Sequence, residues 1–310
     1  MKNRHAYLII AHNEPEVLDA LLHTLDVEWN DIYLHVDKRA HALRAQAEKT
    51  RLSRARIYVI PHAMSVYWGH TSQIKVELLL MKTAVAHGPY AYYHLLSGCD
   101  MPIKPAQEIY DFFDKYQGCE FLGFWNSERD ARDAQRKARY YYVFNRYKKR
   151  SARTAHLLTT PLRNIILSMQ KVVGVNRLRG TIRKGFQWFS ITEDFCQYVL
   201  AHERDIWKVF RYTLCGDELF LHTVIWNSPF ASRLYNIEDA QHGSMRAIDW
   251  ERGTPYVWKK SDVSYLLDCP YLFARKFSSA ELGAVQELTG CLAVRHSSSL
   301  PCPESISIVD

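Results

Sequence analysis

Over the first hundred residues, short apolar runs alternate with stretches of helical periodicity. The runs cover residues 6–10, 31–37, 56–60 and 92–96, and each has the length of a strand. After the first run, apolar side chains recur with the spacing of one helix face at Val17, Leu18, Leu21, Leu22 and Leu25, and residues 72–86 predict a further helix. Strands that alternate with helices predict an α/β fold with a largely parallel sheet and helices on both faces.

Two later segments place charges inside apolar runs. Residues 214–222 (LCGDELFLH) contain Asp217 and Glu218, and residues 272–277 (LFARKF) contain Arg275 and Lys276. Charged side chains are rare in such settings unless they are paired or used in chemistry. A carboxylate can take a proton and two cations can receive a departing anion, so the pair of segments indicates an enzyme that catalyses a transfer reaction.

The amino-acid composition indicates what kind of ligand the protein binds. The chain has 310 residues, which is enough for one large domain or for two halves that share a cleft. Its 19 Tyr and 8 Trp suit stacking on sugars or bases, although aromatic side chains also fill cores. The net charge of +7 favours an anionic partner such as a nucleotide, a phosphorylated glycan or a membrane surface, and it is too small to indicate nucleic acid by itself.

The sequence also bears on location. No apolar run of secretory length follows the first five residues, and no uninterrupted run approaches the ~20 apolar residues of a membrane-spanning helix. The seven cysteines form no C-x-x-C pair, which favours reduced thiols and makes a structural zinc site improbable. We therefore expect a cytoplasmic protein, one that can also lie peripherally on the anionic inner face of a membrane.

A basic and aromatic stretch covers residues 128–153. It interleaves ten Lys or Arg with four Tyr and one Phe. Such interleaving can bind single-stranded nucleic acid, an anionic glycan or the anionic face of a membrane, or it can form a solvated helix surface.

Seven segments that occur in order resemble glycosyltransferase family 14, which includes core-2 and I-branching β-1,6-N-acetylglucosaminyltransferases and peptide O-xylosyltransferases. The segments are residues 6–12, 34–38, 66–69, 95–104, 188–191, 217–218 and 273–277. The resemblance implies a GT-A-like (Rossmann-like) fold, a UDP-sugar donor, inversion at the anomeric carbon and no metal or other cofactor. Independently, the chain contains no Asp-x-Asp motif of the kind that holds Mn²⁺ in many GT-A enzymes.

The same resemblance assigns roles to two groups of residues. Glu218 stands where the family places its general base, and we expect Leu219 and Phe220 to desolvate it partly. Asp217 is interpreted as a structural residue such as a helix cap. Arg275 and Lys276 would contact the diphosphate, the alternative being a surface ion pair.

Further candidates come from the other matching segments. The nucleoside is expected near Ala11, Asp37 and Asp100. Trp68 and Trp188 are candidates for stacking on a sugar or for core packing. An additional phosphate contact is expected from one of four later cations, namely Arg246, Arg252, Lys259 and Lys260.

Together these observations predict a bacterial-type cytosolic glycosyltransferase that adds a sugar to a growing surface glycan. N-acetylglucosamine is the first choice of sugar and xylose the second, and the acceptor is expected to be a glycan or lipid-linked glycan at the inner membrane face. The predicted parts are a nucleotide-binding half (residues 1–125), the basic and aromatic insert (126–184), a catalytic and acceptor half (185–278) and a tail (279–310). The alternatives are a non-catalytic nucleotide- or glycan-binding module and, supported only by the basic stretch, a nucleic-acid-binding protein.

Overall fold

The computed structural model describes residues 3–147, 153–178 and 180–298. Its strands are β1 (His5–Ala11), β2 (Asn30–Val36), β3 (Arg56–Val59), β4 (Tyr92–Ser97), β5 (Asp100–Pro102), β6 (Phe121–Phe124), β7 (Gly185–Thr192), β8 (Arg246–Ile248) and β9 (Phe273–Arg275). Its α-helices are α1 (Pro15–Thr24), α2 (His41–Lys49), α3 (Ser72–Val85), α4 (Ala106–Lys115), α5 (Glu128–Arg139), α6 (Arg153–Val172), α7 (Glu193–Ala201), α8 (Glu203–Phe210), α9 (Phe220–Trp226), α10 (Ala240–Ser244), α11 (Val263–Asp268) and α12 (Leu282–Ser298).

The main sheet has six strands in the order β3-β2-β1-β4-β7-β6. The first four run parallel to one another, and β7 is antiparallel to both of its neighbours. The strands and helices predicted for the first hundred residues are confirmed, as is the α/β fold with a mostly parallel sheet.

Strand β1 explains why its sequence is apolar at every central position. Tyr7, Ile9 and Ala11 face one core cluster, formed with α1, α11 and α12, whereas Leu8 and Ile10 face a second cluster on the other side of the sheet. A strand covered by helices on both faces loses the alternation of apolar and polar residues that a half-exposed strand shows.

A second, three-stranded sheet has the order β5-β9-β8. Strand β5 follows β4 after a short turn, and it pairs antiparallel with β9 so that Asp100 lies opposite Arg275. This sheet connects the last strand of the parallel region to the segment that carries the cationic pair.

The described part of the predicted tail, residues 279–298, contains helix α12. This helix contacts α1, and Leu288 and Leu292 are buried in the first core cluster. The domain boundary at residue 278 stays a prediction.

Two further findings concern membrane-spanning helices and cysteines. Within the described ranges, every helix is too short or too polar to cross a bilayer. The six cysteines in those ranges are free thiols.

Candidate active site

A cavity of about 730 Å³ opens at the carboxyl ends of the parallel strands. Ala11 at the end of β1, Asp37 after β2 and Ser97 at the end of β4 line it. Neighbouring parallel strands end at the same edge of a sheet, which is why α/β folds bind ligands there.

Seven of the eight predicted site residues line this cavity. They are Ala11, Asp37, Trp68, Trp188, Glu218, Arg275 and Lys276. Segments that lie more than two hundred positions apart in sequence therefore meet around one space. Asp100 is the exception, and it lies behind the wall.

Glu218 ends a 3₁₀ turn, Gly216–Glu218, that leads into α9. Cys215, which precedes this turn, donates its backbone N–H to the carbonyl of Gly69, 3.1 Å away. Gly69 has a φ of +69°, a conformation that glycine adopts without strain. This bond ties the loop that carries Trp68 to the segment that carries Glu218.

The carboxylate of Glu218 is held by a lysine. Lys137 of α5 donates to Oε2 of Glu218 at 2.9 Å and also lies 3.1 Å from Asp133. Lys137 is buried on the same face of α5 as Ala134 and Ala138. Within the described part of the chain, Oε1 of Glu218 has no hydrogen-bond partner, so one carboxylate oxygen is fixed and the other is open to the cavity.

The apolar surroundings predicted for Glu218 are therefore wrong. Leu219 and Phe220 are fully buried in the core, and the group that the Glu218 carboxylate meets is the Lys137 ammonium. Adjacent residues in a turn point in different directions, so sequence neighbours do not define the environment of a side chain.

The desolvated carboxyl group belongs to the neighbouring residue. Asp217 is 6% exposed and lines the cavity, and burial together with the Glu218 carboxylate raises its pKa to about 7. Its Oδ2 accepts a long hydrogen bond from Gln73 (3.4 Å) and its Oδ1 is buried without a partner. Asp217 caps no helix, because Cys215 precedes the turn and Leu219 precedes α9.

A second buried carboxyl lies behind Asp217. Glu77 stands one helical turn after Gln73 on α3, is fully buried and accepts a hydrogen bond from Gln187 at 2.7 Å. Burial, and then the charge of Asp217, raises the pKa of Glu77 well above its usual value. Burial therefore favours the neutral form of this carboxyl group.

Asp100 orients Arg275. Its carboxylate accepts from the backbone N–H of Ser97 at 2.7 Å and from Nη1 of Arg275 at 2.5 Å. Asp100 is 2% exposed and does not line the cavity. The register of β5 and β9 places Asp100 opposite Arg275, with which it forms an ion pair. The nucleoside contact expected of Asp100 stays a prediction.

The cationic pair faces the cavity from β9. The Arg275 guanidinium lies 4.2 Å from the ring centroid of Trp188, so this buried tryptophan supports a cation on one of its faces. Lys276 also lines the cavity, and within the described residues its ammonium has no carboxylate partner within ion-pair distance. A site with one oriented and one uncompensated cation suits an anionic ligand.

Asp37 holds another arginine. Its carboxylate accepts from the backbone N–H groups of Arg39 and Val66 and from Nε and Nη2 of Arg39, all within 2.9 Å. Four donors occupy the acceptor sites of this carboxylate. Direct binding of a nucleoside by Asp37 stays a prediction, and the neighbouring Arg39 is the group that projects along the cavity wall.

Several cavity residues were not predicted from the sequence. Arg39 and Arg146 line the cavity, and both guanidinium groups contact the ring of Tyr67, at 4.4 and 4.7 Å from its centroid. A cluster of aromatic residues forms another wall, made of Trp125, Phe186 and Trp250. The position of Trp125 directly after a strand was the signal available for it.

The four later cations expected near the phosphates do not line the cavity. Arg246 is buried and donates to the carbonyl of Phe189 at 2.7 Å. Arg252 pairs with Asp249 and Asp262, Lys260 pairs with Glu287, and Lys259 lies outside the cavity wall. Arg39 and Arg146 line the cavity instead.

The basic and aromatic stretch is described in part. Its helix α5 supplies Lys137, and the 3₁₀ turn Asn145–Tyr147 supplies Arg146. Residues 148–152, which include Lys148, Lys149 and Arg150, lie outside the described residues. Among the described residues no group of three or more His, Cys, Asp or Glu is placed to hold a metal ion.

Comparison with known proteins gives a consistent result. The sequence profile described as "Core-2/I-Branching enzyme" matches residues 5–265. Xylosyltransferase 2 of Mus musculus is 24% identical over 92% of this chain, and xylosyltransferase 1 of Homo sapiens is 23% identical over 80% of it. The chain spans only 33% and 24% of the length of these curated relatives. A solved structure, mouse xyloside xylosyltransferase 1 in its apo form, aligns with a TM-score of 0.41 and 11% identity over 87% of this chain and 97% of that one.

Proposed function

Because this chain belongs to the Core-2/I-branching enzyme family, a family of glycosyltransferases, we propose that it transfers a sugar from a UDP donor to a hydroxyl group of a glycan acceptor. One observation carries the proposal. The Glu218 carboxylate, held by Lys137, and the cationic pair Arg275 and Lys276 line the same cavity of about 730 Å³.

In the proposed reaction, Oε1 of Glu218 takes the proton of the acceptor hydroxyl while that oxygen attacks the anomeric carbon. The bond between the anomeric carbon and the diphosphate oxygen breaks on the opposite face of the sugar, so the configuration inverts. The departing UDP carries the negative charge, and Arg275 and Lys276 stabilise it. Lys137 fixes the Glu218 carboxylate so that its free oxygen points into the cavity.

The ion pair with Asp100 supports the role of Arg275. A guanidinium held by a buried carboxylate and a tryptophan face is oriented before the ligand arrives, so little conformational freedom is lost on binding. Fixed cations that neutralise the diphosphate perform the task that a divalent ion performs in many GT-A enzymes. We therefore include in the proposal that the reaction needs no metal or other cofactor.

Two donor sugars are candidates. The resemblance of the sequence favours N-acetylglucosamine, whereas the relatives reported above are named xylosyltransferases, which favours xylose. The proposed acceptor is a lipid-linked glycan that the enzyme meets at the cytoplasmic face of a membrane.

A panel of UDP-sugars tests the proposal. Binding is measured by saturation-transfer NMR, and release of UDP is measured with UDP-N-acetylglucosamine, UDP-xylose, UDP-glucose and UDP-galactose. We expect either UDP-N-acetylglucosamine or UDP-xylose to be hydrolysed fastest. We also expect UDP to compete with that donor for binding. UDP binding without turnover of any donor would favour a non-catalytic nucleotide-binding module, and the absence of UDP binding would overturn both interpretations.

A further inference from the structure

Helix α6 presents an unusual row of apolar side chains to solvent. We call this row the α6 stripe; its residues and exposed fractions are Leu162 (45%), Ile165 (57%), Met169 (62%) and Val172 (87%). Their spacing places them within about 100° of arc on one side of the helix. Among the described residues, each other helix has at most one large apolar side chain that is exposed to this degree.

The opposite side of α6 is anchored to the domain. Gln170 accepts from the backbone N–H of Tyr141 at 2.7 Å and donates to its carbonyl at 3.0 Å. Leu167 packs on a cluster formed by Tyr142, Leu214 and Cys215. The exposure of the stripe residues shows that they face away from these contacts.

The sequence that contains α6 carries charge of a single sign. Residues 134–192 contain fourteen Lys and Arg and no Asp or Glu, and the remainder of the chain is net negative. Arg136, Lys137 and Lys184 of this acid-free segment pair with carboxylates outside it, whereas Arg163 and Lys171 lie on α6 itself. An apolar row on a helix from a basic segment is the pattern of helices that lie in the headgroup region of anionic membranes.

Two exposed aromatic side chains lie where α6 is anchored. Tyr141, whose backbone bonds to Gln170, and Tyr212 are 44% and 37% exposed, and their rings are 5.6 Å apart. The Arg177 guanidinium lies 4.3 Å from the centroid of the Tyr141 ring. Tyrosine and arginine are favoured at the boundary between water and hydrocarbon, because each combines an apolar body with a polar end.

We propose that α6 docks on an anionic lipid bilayer, parallel to its surface, with the stripe inserted at the boundary between headgroups and acyl chains. The inference deepens the proposed function, since it rests on a lipid-linked acceptor. Arg146, which lines the catalytic cavity, lies in the 3₁₀ turn Asn145–Tyr147, and this turn contacts α6. Docking through α6 therefore brings the cavity close to the membrane surface where such an acceptor is held.

The test is sedimentation of the full chain with vesicles. The test variant is Ile165→Gln/Met169→Gln/Val172→Gln, and the matched control is Ile237→Gln/Val294→Gln, whose side chains are 37% and 66% exposed elsewhere on the surface. Vesicles are made of phosphatidylcholine alone or with a third of phosphatidylglycerol. Each protein is also titrated with UDP and checked by analytical ultracentrifugation.

We expect the wild-type chain and the control to bind the anionic vesicles at low salt, and to bind less at physiological salt, where the Debye length is about 8 Å. The test variant should bind the same vesicles at least ~10-fold more weakly, because three apolar side chains no longer enter the membrane. UDP affinity should be equal in all three proteins. Binding to neutral vesicles should be weaker than binding to anionic ones.

The proposal is overturned if wild-type protein fails to bind anionic vesicles at low salt, or if the test variant binds as tightly as the control. A wild-type dimer that the test variant loses, without any vesicle binding, would show instead that a second copy covers the stripe. Because the vesicle assay contains no sugar donor, its outcome is independent of whether the UDP-sugar panel supports the proposed transfer.

Discussion

The ammonium of Lys137 lies 2.9 Å from Oε2 of Glu218, although the two residues are 81 positions apart. Lys137 belongs to the basic insert and Glu218 to the catalytic half, so the pair joins two predicted parts of the chain. In the proposed reaction Lys137 is a positioning residue, because it acts on the acceptor through Glu218.

The first prediction concerns this pair. Lys137→Met should lower kcat at least ~10-fold while leaving the Kd for UDP within about two-fold, because the lost contact orients the base and not the donor. Lys137→Arg should restore part of kcat, since a guanidinium can donate to the same oxygen. Steady-state kinetics and UDP titration measure both values.

The control for this prediction lies on the same helix. Arg132 has a side chain that is 73% exposed and pairs with Glu128 on the surface. Arg132→Met should leave kcat unchanged. Equal kcat values for Lys137→Met and Arg132→Met would show that Lys137 has no positioning role.

The second prediction separates two roles for Asp100. Asp100→Asn should weaken binding of UDP about 10-fold and binding of uridine little, because Asp100 acts through Arg275 on the diphosphate. The affinities can be measured by calorimetry for UDP and by competition for uridine. An equal loss for both ligands would indicate that Asp100 binds the nucleoside.

The third prediction concerns pH and stability. The pKa of Asp217 rises from 3.8 to about 7 on folding, through burial and the nearby Glu218 carboxylate. Between these values the folded state binds more protons than the unfolded state, so the free energy of unfolding falls as pH rises.

Asp217→Asn removes the titrating group and should remove this part of the pH dependence. Urea unfolding of the wild type and the variant at four pH values between 4.5 and 7.5 measures the difference. The wild type should lose stability relative to the variant as pH rises. Parallel curves would show that Asp217 titrates normally in the folded protein.

The fourth prediction concerns metal. Because the chain has no Asp-x-Asp motif and Arg275 and Lys276 face the cavity, turnover of the preferred UDP-sugar should persist in excess EDTA. Complete loss of turnover in EDTA, followed by recovery with Mn²⁺, would contradict the proposal that side chains alone stabilise the departing UDP.

The sequence predicted the parallel half of the fold better than the rest. Apolar runs covered on both faces mark β1, β2 and β4 clearly, and the helices between them have one apolar face each. The sequence does not indicate the direction of strand β7, because its antiparallel position between β4 and β6 depends on tertiary packing. Helix α12 was missed for a related reason, since only its contact with α1 shows which face is buried.

The residues of the candidate site were likewise predicted only in part. Charges inside apolar runs identified Glu218, Arg275 and Lys276, all of which line the cavity. Lys137 could not be identified, because it is one of many cations in its segment and only the fold shows that it is buried. The sequence also could not show that Asp217 is the buried carboxyl group and that Glu218 is paired with a lysine. This depends on the direction of two side chains in one 3₁₀ turn.

The most direct test of the proposed reaction is Glu218→Gln, measured with the donor and acceptor that the UDP-sugar panel identifies. Gln keeps the size of Glu and can accept a hydrogen bond from Lys137, but it cannot take the proton of the acceptor hydroxyl. We predict that the transfer rate falls at least ~10²-fold while the Kd for UDP stays at the wild-type value, and that the surface variant Glu128→Gln is fully active. A transfer rate for Glu218→Gln within a few-fold of wild type would contradict the assignment of Glu218 as the base.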